Sequence, residues 1–410
     1  MERKALLIVG DGMADRSIRE LNGKTPLEYA YTPNMDRLAR EGVCGLRSPL
    51  EPGLAAESDV ANLALLGFDP MKNYLGRGVF EALGLGIKLK EGELAFRVNL
   101  ATIKDGIIVD RRAGRFNWDK DEIVEALNRI EVKGAEFSFY PGVEHRGVLI
   151  VRGKRLSKWI TGNDPHRTGV PPLGIRPRRN GEDELRTSKL ISEFLEKAHK
   201  TLSKLEINER RIKQGLLPAN FLLIRGPGVY REIEKFEERY GIKGCVVCGF
   251  PMVRGVCVAV GLDPIYVEGA TGGINTNYIG KAEAVVKCLK SYDFIYLHFK
   301  APDTASHEGD YEGKVRVIER IDEAIGRIID SISLDEVVIS ITADHATPIS
   351  VRDHTGDLVP FLLYSSEIVK DDVKAFSERW AYKGGWHRIG ARDLVNILLN
   401  YAVKPSFVEF

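Results

Sequence analysis

The sequence predicts an α/β fold: a parallel β-sheet flanked by helices, with a smaller α+β domain inserted into it. An apolar segment at residues 5–9 runs straight into the glycine turn G-D-G, which is typical of a buried parallel strand. Late in the chain, apolar strands at 294–299 and 337–342 are separated by an amphipathic helix, giving strand, helix, strand. The middle of the chain instead alternates short strand-like segments with basic and proline-rich loops. We therefore predict a discontinuous sheet domain and an inserted domain, at 1–80 with 261–410 and at 81–260.

Length and composition are those of an ordinary globular protein of about two domains. The chain has 410 residues, of which 44% are hydrophobic and 29% charged, so it can bury sizeable cores and disorder is not expected. Lys and Arg number 59 against 58 Asp and Glu, a formal charge of +1. Without an overall basic field we expect neither nucleic acid nor a membrane as a partner, and an anionic ligand must be held by local charges. Whether the chain forms a homo-oligomer is left open.

The sequence indicates a cytoplasmic protein with reduced cysteines. The apolar run at residues 5–9 is too short for the core of a signal peptide, and no apolar stretch reaches the roughly 18 residues of a membrane span. The five cysteines are odd in number and lie in apolar segments, which suits free thiols in a reducing compartment. Cys245 and Cys248 form one C-x-x-C without a second pair, so we expect a buried strand, with zinc or redox chemistry as the alternative.

The other elements of the sheet domain follow from periodicity and from helix start and stop signals. Residues 34–41 are predicted to form a helix, with Pro33 near its first turn and Gly42 just after its end. Residues 311–332 carry isoleucine and valine at three- to four-residue spacing, which predicts an amphipathic helix.

The inserted domain is predicted from a mixture of short elements. Strand-like segments occur at residues 96–103, 147–152, 221–225 and 256–260, and residues 188–214 are predicted to form one long exposed helix. Residues 161–181 hold too much glycine and proline for regular structure, yet they carry acidic, histidine and arginine side chains. Because long loops in compact domains are often functional, we expect this loop to contribute to binding.

Candidate metal ligands lie in three separate segments, each just after a predicted strand. Carboxylate and neutral imidazole suit Mn²⁺, Zn²⁺, Co²⁺ or Mg²⁺, and ligands belong at strand ends in open α/β sheets. Asp303 and His307 have the i, i+4 spacing that puts both on one face if the chain turns helically after Pro302. Six ligands suit two ions about 4 Å apart, which clamp attacking and leaving oxygens in phosphoryl transfer. In chain order the candidates are Asp11, Asp303, His307, Asp344, His345 and His354.

Ser58 is the candidate nucleophile. It lies in A-A-E-S-D-V-A-N-L-A-L-L-G, before an apolar run predicted to be a helix, where backbone donors favour an anion. The alternative is that Ser58 is only a helix N-cap, and Asp11 after a strand is alternatively a turn former. A lone His307 or His354 would usually be a surface residue. The metal site is therefore predicted from the joint occurrence of acidic and histidine residues at three strand ends.

Motifs of one family occur in collinear order along nearly the whole chain. They are G-D-G at 10–12, T-P-N-M-D-R-L-A-R-E-G at 32–42, E-S-D-V-A-N-L-A-L-L-G-F-D-P at 57–70, G-R-G-V-F-E-A-L-G at 76–84, G-A-T-G-G at 269–273, K-A-P-D-T-A-S-H-E-G-D at 300–310, and T-A-D-H-A-T-P with D-H-T-G-D-L-V-P within 342–360. Through them the chain resembles the alkaline phosphatase superfamily, and within it the archaeal type of cofactor-independent phosphoglycerate mutase. The resemblance implies an alkaline-phosphatase-like sheet, two divalent cations, no requirement for 2,3-bisphosphoglycerate, and a place in glycolysis and gluconeogenesis.

The resemblance also implies a role for each matching residue. Ser58 would accept the phosphoryl group from one hydroxyl of phosphoglycerate and return it to the other, which interconverts 2-phosphoglycerate and 3-phosphoglycerate. The inserted domain would be a lid that excludes water while the glycerate reorients. The two metal ions would be held by separate sets, Asp11, Ser58, Asp344 and His345 for one and Asp303, His307 and His354 for the other.

Substrate-binding residues are predicted from side-chain chemistry. The bacterial form of the family matches the chain well only in the metal-binding half and carries its serine in N-S-E-V-G-H. Arginine forks pair with carboxylate and phosphate, and the N-D-P at Asp164 resembles the bacterial substrate loop. Lys300 is predicted to balance charge on the transferring phosphoryl group, with an ordinary strand-end lysine as the alternative. The substrate candidates are His145, Arg146, Asp164, His166, Arg176, Arg225 and Arg254.

Two other functions stay open on the residues alone. A phosphohydrolase of the same superfamily would release phosphate to water and would not need to retain the dephosphorylated half of its substrate. A metal-stabilised binding protein would use the same ligands without a nucleophile, and replacing Ser58 would then leave its properties intact.

Overall fold

The computed structural model describes residues 3–403 and divides into two compact units. Of the described residues, 3–74 and 233–403 form the first unit, and Leu75–Glu232 form the second. The boundaries predicted at residues 80 and 260 differ from this division. Residues 233–260 belong to the first unit because the cysteine-containing strand at Gly244–Cys248 pairs with the strand at Phe294–Phe299.

Strands and helices alternate through most of the described chain. The strands are β1 (Lys4–Gly10), β2 (Val43–Arg47), β3 (Leu94–Lys104), β4 (Ile107–Asp110), β5 (Ala135–Pro141), β6 (Arg146–Gly153), β7 (Phe221–Val229), β8 (Gly244–Cys248), β9 (Asp263–Ile265), β10 (Phe294–Phe299), β11 (Val337–Thr342), β12 (Val359–Tyr364) and β13 (Arg388–Ile389). The helices are α1 (Pro26–Tyr29), α2 (Pro33–Glu41), α3 (Ser58–Leu65), α4 (Pro70–Asn73), α5 (Arg77–Gly84), α6 (Asp121–Asn128), α7 (Glu182–Leu202), α8 (Glu206–Lys213), α9 (Phe236–Tyr240), α10 (Pro251–Ala259), α11 (Tyr278–Cys288), α12 (Ala301–Glu308), α13 (Tyr311–Ile329), α14 (Glu378–Ala381) and α15 (Asp393–Ala402).

The first unit is built on one large sheet with strand order β13-β2-β12-β11-β1-β10-β8-β9. Strands β11, β1, β10, β8 and β9 are adjacent in this order and parallel to one another, which confirms the predicted parallel sheet at its centre. Strand β12 is antiparallel to both β11 and β2. It follows β11 through a loop rather than through the crossover helix that a parallel pair requires, so it must run in the opposite direction.

The three central strands end level with one another. The register pairs Gly10 of β1 with Phe299 of β10, and Val9 of β1 with Thr342 of β11. All three strands are buried along most of their length, because both faces of the sheet are covered, and this explains why their sequences are continuous apolar runs rather than alternating ones. The segments that follow these strands therefore leave the sheet at one edge, where ligands are expected.

The second unit contains a smaller antiparallel sheet of five strands, in which β4, β3, β6 and β5 follow one another and β7 also pairs with β3. Helices α6 and α7 pack on it through a core that includes Phe137, Phe139, Ile191 and Phe194. This agrees with the α+β character predicted for the inserted domain. The loop at 161–181 contains no helix or strand, as predicted.

Two predicted elements of the middle region are wrong. Residues 256–260 lie mainly in helix α10, which Pro251 starts and which buries Val253 and Val256. The valine-rich pattern is that of a short helix buried on several sides, which periodicity does not distinguish from a strand. The long helix predicted at 188–214 is two helices, α7 and α8, separated by residues 203–205, and α7 buries a full apolar face.

The cysteines are free and buried, and Cys245 and Cys248 lie in the buried strand β8, as expected. Each helix in the described part of the chain is too short or too polar to span a bilayer.

Candidate metal centre and nucleophile

The six predicted metal ligands and the predicted nucleophile lie together at the ends of the central strands. They are Asp11, Ser58, Asp303, His307, Asp344, His345 and His354. Within residues 3–403, three groups of side chains have ligand atoms within 4.8 Å of one another, and adjacent groups share His345 or His354. These groups are Asp303 with His345 and His354, His307 with Asp353 and His354, and Asp11 with Asp344 and His345. The groups form one continuous cluster. Asp353 is the member that the sequence did not indicate.

Ser58 lies at the centre of this cluster as the first residue of helix α3. The N-cap position belongs to Glu57, so the alternative in which Ser58 only caps the helix is not observed. The Ser58 hydroxyl oxygen lies 3.0 Å from His345 Nε2 and 3.3 Å from Lys300 Nζ. A buried serine between an imidazole and an ammonium is chemically placed to act on an electrophile.

The first part of the cluster is fully buried. Asp11 leaves β1 directly, and Asp344 and His345 follow β11. His345 Nε2 lies 3.5 Å from Asp11 Oδ1 and 3.5 Å from Asp344 Oδ2. Two carboxylates and one imidazole from two adjacent strand ends therefore converge on one point.

The second part is formed by helix α12 and by the loop that precedes β12. The chain does turn helically around Pro302, so Asp303 and His307 lie on one face and Asp303 Oδ2 is 3.4 Å from His307 Nε2. His354 Nε2 lies 3.3 Å from Asp303 Oδ1. The rings of His345 and His354 stack with centroids 3.8 Å apart, which joins the two parts of the cluster.

The three histidines share an orientation that suits metal binding. His307 Nδ1 lies 2.8 Å from the Arg352 carbonyl, and His354 Nδ1 lies 3.0 Å from the Ala56 carbonyl. His345 Nδ1 lies 3.1 Å from the Thr347 hydroxyl. A carbonyl only accepts, so Nδ1 of the first two carries a hydrogen, and Nε2 is the ring nitrogen left to bind a metal ion. Metal-ligating histidines are oriented in this way, so the donor set fits divalent ions.

Lys300 is the cation of the cluster. Its Nζ lies 2.9 Å from Asp11 Oδ1 and 2.6 Å from Asp303 Oδ2. Burial alone would lower the pKa of Lys300, but these two carboxylates outweigh it and raise that pKa above its ordinary value. Burial alone would raise the pKa of Asp303. Lys300 and His354 outweigh burial and hold that pKa well below its ordinary value, so the carboxylate remains ionised. Ionised carboxylates are the form that binds metal.

Supporting residues around the cluster were not predicted. The Thr347 hydroxyl donates to Asp303 Oδ1 at 2.8 Å, and the Arg47 guanidinium donates to the carbonyl of Asp344 at 2.9 Å. Burial lowers the pKa of Arg47 to about 10. The signal that could have found Arg47 and the buried His298 is a single polar residue within an apolar strand, at V-C-G-L-R and F-I-Y-L-H-F.

The second unit contains a separate concentration of buried arginines. Arg97 Nη1 lies 3.3 Å from Glu81 Oε1, and Arg77 Nε lies 3.9 Å from the same oxygen. Burial, reinforced by Arg77, Arg225 and Arg146 and opposed by Glu81, holds the pKa of Arg97 well below its ordinary value. Within residues 3–403, the Nε atoms of Arg97, Arg146 and Arg225 are buried without a hydrogen-bond partner.

Five of the predicted substrate residues lie in or beside this arginine region, namely His145, Arg146, Asp164, His166 and Arg225. Asp164 accepts two hydrogen bonds from Arg111, at 2.9 and 2.7 Å, and His166 Nδ1 lies 3.3 Å from Arg225 Nη1. His145 is buried beside Arg146, and burial together with Arg146 and Arg112 lowers its pKa to about 3.

Two of the substrate candidates lie elsewhere. Arg176 is exposed in the loop at 161–181. Arg254 lies in the first unit on α10, where it donates to the Cys248 carbonyl and covers the Tyr266 ring, so its assignment to the inserted domain is corrected.

Comparison with known proteins identifies the family. The Metalloenzyme superfamily matches residues 3–401. The 2,3-bisphosphoglycerate-independent phosphoglycerate mutase of Pyrococcus horikoshii is 47% identical over 402 residues, which cover 98% of this chain and 97% of that protein. The chain belongs to this mutase family. The mutase of Sulfurisphaera tokodaii is 43% identical over 407 residues, covering 98% of each protein.

Solved structures agree with this family assignment. A protein from Pyrococcus horikoshii has a TM-score of 0.88 at 40% identity, with 100% of both chains covered. A cofactor-independent phosphoglycerate mutase from Thermoplasma acidophilum has a TM-score of 0.71 at 38% identity, covering 98% of this chain and 100% of that one. The resemblance drawn from the motifs is thereby confirmed. Membership of this family of metalloenzymes implies divalent metal ions in the site.

Proposed function

We propose that the chain interconverts 2-phosphoglycerate and 3-phosphoglycerate through a phosphoserine formed on Ser58. The observation that carries this proposal is the position of the Ser58 hydroxyl, 3.0 Å from His345 Nε2 and 3.3 Å from Lys300 Nζ, inside a cluster of acidic and histidine side chains. The relatives named as 2,3-bisphosphoglycerate-independent mutases support the same reaction without 2,3-bisphosphoglycerate.

Two divalent ions are proposed to complete the site, with Mn²⁺, Mg²⁺, Co²⁺ and Zn²⁺ all compatible with carboxylate and imidazole ligands. When bound, such ions lower the pKa of a coordinated hydroxyl and neutralise charge on the transferring phosphoryl group. One ion is assigned to Asp11, Ser58, Asp344 and His345, and the other to Asp303, His307 and His354. The spacing of the ligand atoms supports two adjacent ions, because His345 approaches members of both sets.

The two phosphoryl transfers are assigned to Ser58, with Lys300 as the charge-stabilising side chain. Ser58 attacks the phosphorus of phosphoglycerate, so the bond from Ser58 Oγ to phosphorus forms while the bond to the substrate oxygen breaks; the proton lost by Ser58 is balanced by one gained by the departing glycerate oxygen, and the return step reverses this. The glycerate then presents its other hydroxyl, which attacks the same phosphorus and releases Ser58. Lys300, whose ammonium lies beside Ser58 Oγ, stabilises negative charge on the phosphoryl oxygens in both steps.

The arginines of the second unit are proposed to bind the anionic groups of the substrate. Arg77, Arg97, Arg111, Arg146 and Arg225 outnumber the nearby carboxylates Glu81 and Asp164, and burial lowers the pKa of Arg97 and Arg225, so an added carboxylate or phosphate is favourable there. His145, Asp164 and His166 are assigned to the same region, with Asp164 oriented by Arg111. Arg176 and Arg254 lie apart from these buried arginines, because Arg176 is exposed and Arg254 belongs to the first unit.

The test supplies 3-phosphoglycerate with Mn²⁺ and measures 2-phosphoglycerate and free phosphate in the same sample. Accumulation of 2-phosphoglycerate with little phosphate supports the mutase, whereas predominant phosphate release would show a phosphohydrolase of the same superfamily. Mass spectrometry of the quenched protein should find phosphate on Ser58. Ser58→Ala should lose both activities while it keeps its fold; activity at the wild-type rate in this variant would remove Ser58 from the mechanism.

A further inference from the structure

His298 lies behind the proposed metal ligands, fully buried in the central strand β10. Its register partners are Val9 on β1 and Cys248 on β8. Side chains alternate along a strand, so Asp11, two residues beyond Val9, continues on the same face. The register of the parallel strands therefore places Cys248 beside His298, and Asp11, just after the end of β1, completes a row with them through its contact with His298.

Both ring nitrogens of His298 have a partner in this row. Nε2 lies 3.0 Å from Asp11 Oδ2, and Nδ1 lies 3.6 Å from Cys248 Sγ. A carboxylate only accepts, so Nε2 must carry the hydrogen. Nδ1 then faces the sulfur of Cys248, whose S–H also donates to the Phe250 carbonyl at 3.3 Å. The amide of Phe250 donates to the same sulfur at 3.3 Å and holds it in position.

The two oxygens of Asp11 are used differently. Oδ2 accepts from His298, away from the cluster, whereas Oδ1 faces the cluster, 2.9 Å from Lys300 Nζ and 3.5 Å from His345 Nε2. A carboxylate anchored through one oxygen cannot rotate without losing that bond, so its other oxygen points in a fixed direction.

We propose that His298, held by the Cys248 thiol, is a positioning residue that orients Asp11 for divalent metal binding. The inference rests on the proposed role of Asp11 as a metal ligand, and it assigns a purpose to two buried residues that the phosphoryl transfer itself does not use. Cys248 fixes the ring through Nδ1, and the ring fixes the carboxylate through Nε2. The effect of either residue on the metal is therefore indirect and should appear in the binding constant.

The decisive measurement is calorimetric titration of the chelator-treated full chain with Mn²⁺. His298→Asn ends its amide near the former Nδ1 position and cannot reach Asp11, whereas His298→Gln carries an N–H donor near the former Nε2 position. We expect His298→Asn to weaken one Mn²⁺ site by about 10- to 100-fold, the effect known for partners of metal ligands, and His298→Gln to recover most of it. Equal Mn²⁺ affinity in the wild type and His298→Asn would overturn the proposal.

Asp11→Asn separates failure of this inference from failure of the ligand assignment. If Asp11→Asn weakens Mn²⁺ binding and His298→Asn does not, Asp11 is a ligand and His298 does not position it. If Asp11→Asn binds both ions as the wild type does, the ligand assignment itself is wrong and the inference falls with it.

A pair of thiol variants tests the outer end of the row. Cys248→Ala removes the group at His298 Nδ1, whereas Cys245→Ala makes the same change on the same strand but on the face that packs with Cys288. We expect only Cys248→Ala to lower Mn²⁺ affinity and to alter the visible absorption of the Co²⁺-loaded protein. Identical spectra and affinities for both variants would overturn the role of the thiol. Melting of the metal-free variants checks that each one folds.

Discussion

The side-chain amide of Asn62 donates a hydrogen bond of 2.7 Å to Asp344 Oδ2 from the second turn of helix α3. The same nitrogen donates to the Ser58 carbonyl at 2.7 Å, and Asn62 Oδ1 accepts from the Tyr296 hydroxyl. One fully buried side chain thus connects the turn of the proposed nucleophile to a proposed metal ligand. Both contacts depend on the same rotamer, because both use one amide group.

Replacing Asn62 with leucine should therefore disturb both stability and metal binding. The variant keeps the volume but removes the hydrogen bond to Asp344 Oδ2 and the acceptor of the Tyr296 hydroxyl, at a cost of about 1–3 kcal/mol for a buried group left unsatisfied. We expect a lower urea midpoint and weaker Mn²⁺ binding. Tyr296→Phe is the matched control, since it removes one hydroxyl and leaves the Asn62 to Asp344 bond in place. A metal affinity lowered as much by Tyr296→Phe as by Asn62→Leu would contradict this account.

Gly12 should tolerate no side chain. Its φ is +62°, and a Cβ there would lie 2.5 Å from Thr347 Oγ1 and 2.8 Å from Asp303 Cβ. Gly23 has a similar φ of +75° with nothing within 4 Å of a Cβ, so Gly23→Ala reports the backbone strain alone, about 1–2 kcal/mol. We expect Gly12→Ala to lose mutase activity and metal content, and Gly23→Ala to keep both. Similar losses in the two variants would show that strain, not the clash with the site, is responsible.

The sequence was informative where one local signal was sufficient. Strands β1, β10 and β11 are buried on both faces, so each is a continuous apolar run, and charged residues follow within two positions of each strand end. Because parallel strands end at one edge, the meeting of Asp11, Asp303 and His345 followed from chain order and sheet class alone. Helix α12 likewise followed from the spacing of Asp303 and His307 after Pro302.

The parts of the fold and of the site that the sequence did not predict depend on contacts between segments distant in sequence. Asn62 and Thr347 are ordinary helix and loop residues until the fold brings them to Asp344 and Asp303. The arginine concentration around Glu81 joins helix α5 to strand β3, a packing that propensity does not encode. Residues 256–260 have a strand-like sequence although they lie mainly in a helix, because burial on several sides removes the helical period.

The stability of the protein should depend on His145 in mildly acidic solution. Burial, with Arg146 and Arg112 adding to it, lowers the pKa of His145 from 6.5 to about 3, although Glu144 Oε2 lies 3.7 Å from its Nδ1. Below its ordinary pKa the unfolded chain takes up a proton that the folded chain does not, so stability falls as the pH is lowered from about 6.5 to about 3.

His145→Gln should flatten that part of the profile. Urea midpoints of the wild type and the variant at pH 7.5 and 4.5 measure the difference, with the larger fall expected for the wild type. Bound 3-phosphoglycerate should reduce the fall in the wild type if its anionic groups occupy the arginine region, because added negative charge raises the pKa of a nearby histidine. Parallel pH profiles for the two proteins would refute the assignment to His145.

Metal removal should destabilise the first unit. Asp11, Asp303 and Asp344 bring three carboxylates into a buried cluster in which Lys300 supplies the neighbouring ammonium. A ligand present at 100 times its dissociation constant stabilises the folded state by about 2.7 kcal/mol, so chelation should lower the melting temperature by several degrees. Mn²⁺ or Mg²⁺ added back should restore it. Asp303→Asn, which removes one proposed ligand charge, should bind fewer ions and shift less on chelation. A shift as large as that of the wild type, with unchanged metal content, would mean that the ions bind elsewhere in the protein.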